Sequence, residues 1–483
     1  MQFESESQRV LDTAAKAGAQ YADVRFGETR DEHIEVRNGV VSSLSDGTSA
    51  GFSVRALVNG AWGFASSAQI TDSELDRVAA LAVQIAKASA KARGHGISLV
   101  AAPPAVASYA TPFEVDPATV PLGDRVNHLL AVEKEVRAAK GVTVARAWMD
   151  IWRTNKYFAN SEGSKIDQRL LQCGSALHAL AVGERDVQDR CFPGTGGLYQ
   201  TGGYEIIRKA NLLDNARRIG EEAVALIDAE QCPSGTMDIV LSGDQVSLQI
   251  HESIGHALEL DRVLGWEANF SGTSFATLDK LGTFRYGSEQ VNVVIDMTCP
   301  LALATHGYDD EGVKATPVDL IRDGILVGYM AGRDTADTAK VGLSGCVRAE
   351  YWGRLPMIRI GNVNLEAGNV PAEHLFDDIK QGVYMESNRS WSIDDKRLNF
   401  QFGCQLGYEI KDGKKGRMLK NPTYAGMTPA FWRSCDAIGD ANSWVAWGTP
   451  NCGKGEPLQT ARSCQGASPS RFRDVSVGVA YAG

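Results

Sequence analysis

His251 and His256 lie five residues apart, with a glutamate, Glu252, directly after the first. A hydrolytic zinc site needs neutral nitrogen ligands, an open coordination position for water, and a carboxylate to take that water's proton. Ile250-His-Glu-Ser-Ile-Gly-His256 offers those parts at the head of a helix: His251 and His256 as metal ligands, Glu252 as the catalytic carboxylate. The spacing departs from HExxH, whose histidines stand four apart on one helical face. At about 100° per residue, a step of five separates the two rings by roughly 140° on an ideal helix. A π-bulge or a break would bring them together, and Gly255 makes such a distortion easier. The helix is therefore expected to be distorted between Ser253 and His256. On spacing alone a second reading stays open, in which two helix histidines only satisfy buried hydrogen bonds.

Positioning that segment requires a sizeable scaffold. At 483 residues the chain exceeds what one hydrophobic core usually supports. Helical periodicity marks Ser7 to Ala17, the run after Thr71, Leu122 to Lys140, and Leu212 to Ala229. Strand patterns mark Ala22 to Phe26, His33 to Arg37, Val40 to Leu44, Ser49 to Val58, Val142 to Ile151, Lys156 to Phe158 and Lys165 to Val182. Ala101 to Pro117 reads as a connecting loop. The turn-prone Cys-Pro-Ser-Gly near Gln231 marks a boundary. The remainder of the chain is strand-rich, with helical interruptions near Ser247 to Val263 and Pro371 to Gln381. The fold class is α+β, with an α/β domain over residues 1–230 and a β-rich domain over residues 231–483.

Composition narrows the function further. Hydrophobic residues make up 43% and charged residues 22%, ordinary for a globular chain. The net charge of −10 disfavours direct nucleic-acid binding. Lys414, Lys415, Arg417 and Lys420 read as a solvated hairpin tip rather than a phosphate patch. Nine cysteines without a CxxC pair argue against a disulfide framework. The opening MQFESESQRV is polar, and no stretch reaches the roughly 20 apolar residues of a membrane span, so the expected compartment is the cytoplasm. The glycines from Gly194 to Gly203 read as a flexible loop without the ending of a phosphate loop. His306 reads as a loop hydrogen-bonder, and Glu259 and Asp261 as solvated or capping residues. Asp309, Asp310 and Glu311 could be acceptors behind a ligand histidine or a charged turn.

His251-Glu-Ser-Ile-Gly-His-Ala-Leu-Glu-Leu-Asp261 resembles the HExxxH signature of the TldD/PmbA family of metallopeptidases, its active TldD-type subunit in particular. The likeness runs through Tyr21-Ala-Asp-Val-Arg25, Gly272-Thr-Ser-Phe275, Asp309-Asp-Glu-Gly312, Arg348-Ala-Glu-Tyr351 and Asn451-Cys-Gly-Lys454, nearly the whole chain. Asp261 to Asn269 and Pro429 to Trp444 depart from it. The resemblance implies a TldD/PmbA-like two-domain fold whose C-terminal half is the metallopeptidase domain, the N-terminal half serving peptide binding or dimerisation. It also implies one zinc per active chain held by His251, His256 and Cys452, with Glu252 as general base and acid. Cys435 and Cys464 are weaker rivals, and Lys454 beside Cys452 would favour a thiolate. The implied activity is hydrolysis of small or unfolded peptides with broad specificity. The implied partner is a second copy or a TldE/PmbA-like chain, with no nucleic acid and no membrane. Alternatives are a non-catalytic scaffold subunit of such a complex, or a regulator acting through partner binding.

Overall fold

The computed structural model describes residues 3–92 and 96–479; the remaining positions, including the first two of the polar N-terminal stretch, lie outside it. The architecture is α+β. Helices form where the periodicity places them, at Glu4–Lys16, Asp72–Ala92, Leu122–Arg137 and Leu212–Asp228. Each turns an apolar face inward, as with Ala216, Ile219, Ala223 and Leu226 on the last. Fully burying a large aliphatic side chain stabilises by about 1.5–3 kcal/mol, enough to fix each helix on the sheet below it.

The strands outrun their local patterns. Tyr21–Arg37 is one strand rather than two, and so are Val40–Val58 and Val142–Asn160. Tyr21–Arg37 is paired along its length with Val40–Val58 and over nearly all of it with Val142–Asn160, so hydrogen bonding carries the ladder through a polar middle where alternation lapses. The Ala101 to Pro117 stretch is not wholly loop. Val106–Ala110 adds a parallel edge strand to Lys165–Val182. The resulting sheet runs Ala61–Ser67, Val40–Val58, Tyr21–Arg37, Val142–Asn160, Lys165–Val182, Val106–Ala110. Two separate apolar clusters lie between it and its helices, one with the first two helices and one with Leu122–Arg137 and Leu212–Asp228.

In the C-terminal half, Gln381–Ile393, Gly235–Leu241, Ser470–Val479, Pro422–Met427 and Asn399–Lys411 pair in that order, and the last pairs back with the first. That closure makes a barrel and removes two sheet edges. Helix Gly243–Ile250 packs into the large core beside it, where Val246, Ile250, Phe402, Phe431 and Trp432 are all buried. The basic run near residue 414 forms strand Lys414–Lys420, and three of its charges are engaged. Lys420 pairs with Asp186 at 2.7 Å, Arg417 with Glu230 at 2.5 Å, and Lys415 sits 3.5 Å from the Tyr384 ring centre. The Gly194 to Gly203 loop packs on its neighbours: Thr195 Oγ1 lies 3.2 Å from the Asn388 carbonyl, and Leu198–Thr201 is a short strand.

Asp310 and Glu311 join the two halves. Arg55 donates to Asp23 at 2.8 Å and to Glu311 at 3.0 Å, and Lys156 donates to Asp310 at 2.8 Å. Trp352 docks on the cross-strand glycines Gly27 and Gly51; a Cβ at Gly51 would stand 2.7 Å from its ring. Arg55→Met keeps much of the volume but strands two buried carboxylates. It is expected to lower stability by about 3–5 kcal/mol. The urea unfolding midpoint measures this, and a change under about 1 kcal/mol would place the strength of the seam elsewhere.

Candidate metal centre

The helix from Gly243 reaches Ile250 with ordinary bonding and then widens. Over His251–Gly255 it becomes a π-turn, in which the His256 amide donates to the His251 carbonyl. A tight 3₁₀ turn follows at His256–Leu258. This is the distortion that the five-residue spacing demands. The two imidazoles stand perpendicular with ring centres 5.0 Å apart, and both are buried.

One nearby side chain and two from further along the chain hold the π-turn. Trp432 Nε1 donates to Ser253 Oγ at 2.9 Å, Gln249 Nε2 donates to the same atom at 3.0 Å, and the Tyr286 hydroxyl donates to the Ser253 carbonyl. A Cβ on Gly255 would press to 3.0 Å from Ile360, so the turn also packs closely at its far side.

Cys452 arrives on the hairpin of Val445–Lys454 and Gln459–Ala467, just past an irregularity in register after Thr449. Its Sγ lies 3.6 Å from His256 Nε2, and one donor atom from each of His251, His256 and Cys452 falls within 4.8 Å of the others. Zinc–sulfur and zinc–nitrogen bonds of ordinary length at a tetrahedral angle span about 3.5 Å between S and N. The donor set therefore fits zinc. Each ring's other nitrogen is already engaged: His251 Nδ1 lies 3.1 Å from Gln465 Oε1, and His256 Nδ1 2.8 Å from Glu259 Oε2. Such outer partners fix ring orientation in metal sites. Burial, the largest influence on the Cys452 thiol, opposes ionisation, but His251 and His256 together outweigh it and hold its pKa well below the ordinary value. Burial likewise opposes the His251 imidazolium, yet Cys452 and Glu252 raise its pKa to about 9.

Two readings of the sequence need correction, and of the two left open for Asp309 to Glu311 the structure has the charged turn. Glu259 and Asp261 are not solvated; both are buried. Lys454 does not act on the thiol, because its ammonium lies 2.7 Å from Asp261 and 3.2 Å from Glu259. Asp309, Asp310 and Glu311 do not stand behind a ligand histidine. Asp309 accepts the amides of Glu311 and Val313 at 2.9 Å, and its neighbours form the seam with the N-terminal sheet. His306 is the loop hydrogen-bonder its context suggests, 3.0 Å from the Gly345 carbonyl.

Glu252 pairs with Arg397, Oε2 to Nη1 at 2.6 Å. Arg397 sits in the turn between Gln381–Ile393 and Asn399–Lys411 with φ of +62°. Sequence reading missed Arg397 and Gln465, since nothing local distinguishes them. The helical step of three from His256 to Glu259 was a usable signal. Beyond the hairpin, a cleft of about 470 Å³ lies between the two halves, lined among others by Trp152, Lys156, Arg348, Trp352 and Arg462 but by none of His251, Glu252, His256 and Cys452. Ala461, the cross-strand partner of Cys452, forms part of its wall.

Comparison with known proteins agrees with this architecture. Three family models match in succession: PmbA/TldA metallopeptidase domain 1 over residues 22–86, the central domain over 115–229, and the C-terminal domain over 234–478. A metalloprotease of Methanothermobacter thermautotrophicus is 29% identical over 459 residues, spanning 95% of both chains. The zinc metalloprotease TldD homolog of Saccharolobus solfataricus is 23% identical, over 89% of this chain and 91% of its own. Two solved structures share the fold at 16% identity. One, from Thermotoga maritima and described as a candidate modulator of a DNA gyrase, has a TM-score of 0.78 over 99% of this chain and 100% of its own. The other, TldE from Thermococcus kodakarensis, has a TM-score of 0.71 over 98% and 99%. Fold and sequence together thus describe a metallopeptidase of mixed helix and strand. The chain belongs to the PmbA/TldD metallopeptidase family.

The surroundings of the site set two expected outcomes. Gln465→Ala frees one face of His251, and zinc affinity is expected to fall about 10–100-fold, read by competition with a chelating dye. In metal-free protein the His251 pKa of about 9 exceeds its unfolded value of 6.5. Its stabilising contribution is full below about pH 6.5 and is lost as pH rises through 9. The stability advantage of the native chain over His251→Gln should shrink across that window in urea titrations; an advantage that grows there would contradict the assignment.

Proposed function

We propose that this chain is a zinc-dependent peptidase that hydrolyses peptide bonds in small or unfolded peptides with broad specificity. The observation that carries the reading is the meeting of His251, His256 and Cys452 at one buried point, with Sγ and Nε2 3.6 Å apart. The name of the Saccharolobus solfataricus relative supports zinc in particular. A zinc ion held there would polarise the scissile carbonyl and activate water near neutral pH.

The remaining work falls to side chains. Glu252, adjacent to a ligand, takes the proton from the attacking water and delivers it to the leaving amine. Arg397 orients that carboxylate through its 2.6 Å contact. Gln465 and Glu259 fix the two imidazoles so that each presents its free nitrogen to the metal. The interdomain cleft offers aromatic and cationic walls to a peptide, and an exposed strand edge would recognise its main chain with little side-chain preference.

In this reading residues 231–483 form the metallopeptidase domain, and residues 1–230 serve peptide binding or dimerisation. The working unit is a cytoplasmic dimer, of two copies or with a TldE/PmbA-like chain. The shared fold with TldE from Thermococcus kodakarensis supports the second form. Among the described residues, no helix is long and apolar enough to cross a membrane.

Metal content and peptide hydrolysis, measured together, test the proposal. The unaltered chain should hold one zinc at this site, and Cys452→Ala and His256→Ala should lose both that metal and activity. Glu252→Gln should keep the metal while kcat/KM falls by about 10²–10⁴-fold. Full activity in Cys452→Ala would sink the ligand set, and full activity in Glu252→Gln would remove the carboxylate's role.

A further inference from the structure

A second cluster of donors lies outside the site above, on strands Lys165–Val182 and Val187–Phe192. His178 stands directly opposite Cys191 in the antiparallel ladder, and Asp189 stands opposite Leu180. Side chains two apart on a strand share a face, and directly opposed residues share it too. His178, Asp189 and Cys191 therefore project from one face of the ribbon. One donor atom from each falls within 4.8 Å of the others.

An ordinary ion pair accounts poorly for this arrangement. His178 Nε2 lies 3.4 Å from Asp189 Oδ2, long for a charge-assisted hydrogen bond of about 2.7–2.9 Å. The other ring nitrogen, Nδ1, is buried with no hydrogen-bond partner among the described residues. Arg389 approaches Asp189 through the other oxygen, Oδ1, at 3.8 Å, which leaves Oδ2 facing the histidine. The His178 and Asp189 side chains keep 18% and 23% of their surface exposed, so an ion has a route in.

We infer that His178, Asp189 and Cys191 form a second metal site, for a borderline divalent ion of the zinc type, independent of His251, His256 and Cys452. An imidazole, a carboxylate and a thiolate suit zinc, and three protein ligands leave a fourth position for water. Binding replaces the thiol proton, which is released to solvent. The location fits a fastening role rather than chemistry. Strand Val187–Phe192 contacts the C-terminal barrel there: the Cys191 amide donates to Gln405 at 2.8 Å, and Arg389 donates to the Val187 carbonyl at 2.9 Å. An ion on the ribbon stiffens the strand that makes those contacts.

The comparison that isolates this site uses Cys452→Ala protein, with and without Cys191→Ser, both full length. Zinc stoichiometry after dialysis should be one equivalent higher when Cys191 is present. Cobalt(II) added to Cys452→Ala should give the near-ultraviolet band of a thiolate–cobalt bond, absent once Cys191→Ser is added. His178→Gln in the same background should abolish the extra equivalent as well, which guards against an effect peculiar to the serine variant. Zinc should also raise the thermal midpoint of Cys452→Ala in a manner lost with Cys191→Ser. Equal stoichiometry and no thiolate–cobalt band with Cys191 in place would overturn the inference. Because Cys452 is absent throughout, that result leaves the peptidase reading untouched.

Discussion

Two imidazoles five residues apart cannot meet on a regular helix, and the C-terminal half is organised around solving that problem. The chain opens into a π-turn at His251–Gly255, which disturbs the regular ladder of backbone bonds. A disturbed, buried turn needs outside partners for its polar groups. Tyr286 supplies one to the Ser253 carbonyl, and Trp432 supplies one to its hydroxyl. Trp432 belongs to the short helix Thr428–Arg433, where its ring meets Phe431 and Phe472 and Phe431 in turn meets Phe400, Tyr424 and Phe472 beside the barrel. The barrel's aromatic core therefore holds the shape on which the histidine geometry depends.

A chain of buried polar and charged groups surrounds the same point. Lys454 reaches Glu259 and Asp261, Glu259 reaches His256, and His256 reaches Cys452. The Lys454 ammonium lets the Glu259 and Asp261 carboxylates stay buried at tolerable cost, whereas removing it strands both. Lys454 lies two residues past Cys452 on the hairpin strand, so its side chain fastens the thiol-bearing strand to the turn just beyond the histidines. The cation beside the cysteine anchors the strand of the candidate metal centre and leaves the thiol's ionisation to the imidazoles.

The acidic turn at Asp309 to Glu311 works at longer range. Asp309 folds the turn by accepting its own amides, which frees Asp310 and Glu311 to face Lys156 and Arg55 on the N-terminal strands. The Trp352 loop settles onto the paired glycines of the same sheet. Arg25, Lys156, Asp310 and Trp352 from this seam line the cleft, together with Thr460, Ala461 and Arg462 of the Cys452 hairpin.

Much of this was legible from residue order. Helices came from 3.6-residue periodicity, the class from the mixture of patterns, and the π-turn from a conflict between residue chemistry and helix geometry. Residue type and spacing singled out His251, Glu252 and His256, while Cys452 came through likeness to a family. Strand lengths were not legible, because pairing with neighbours carried ladders through polar stretches that local alternation ends. Arg397, Gln465 and the burial of Glu259 and Asp261 were not legible either. Their roles arise from a hairpin turn and a strand register that only the folded chain brings against the histidine turn. Sequence by itself determined which groups could do chemistry, since composition and spacing are local properties. Tertiary structure decided which of them meet, because contacts between residues some two hundred positions apart are set by packing and register.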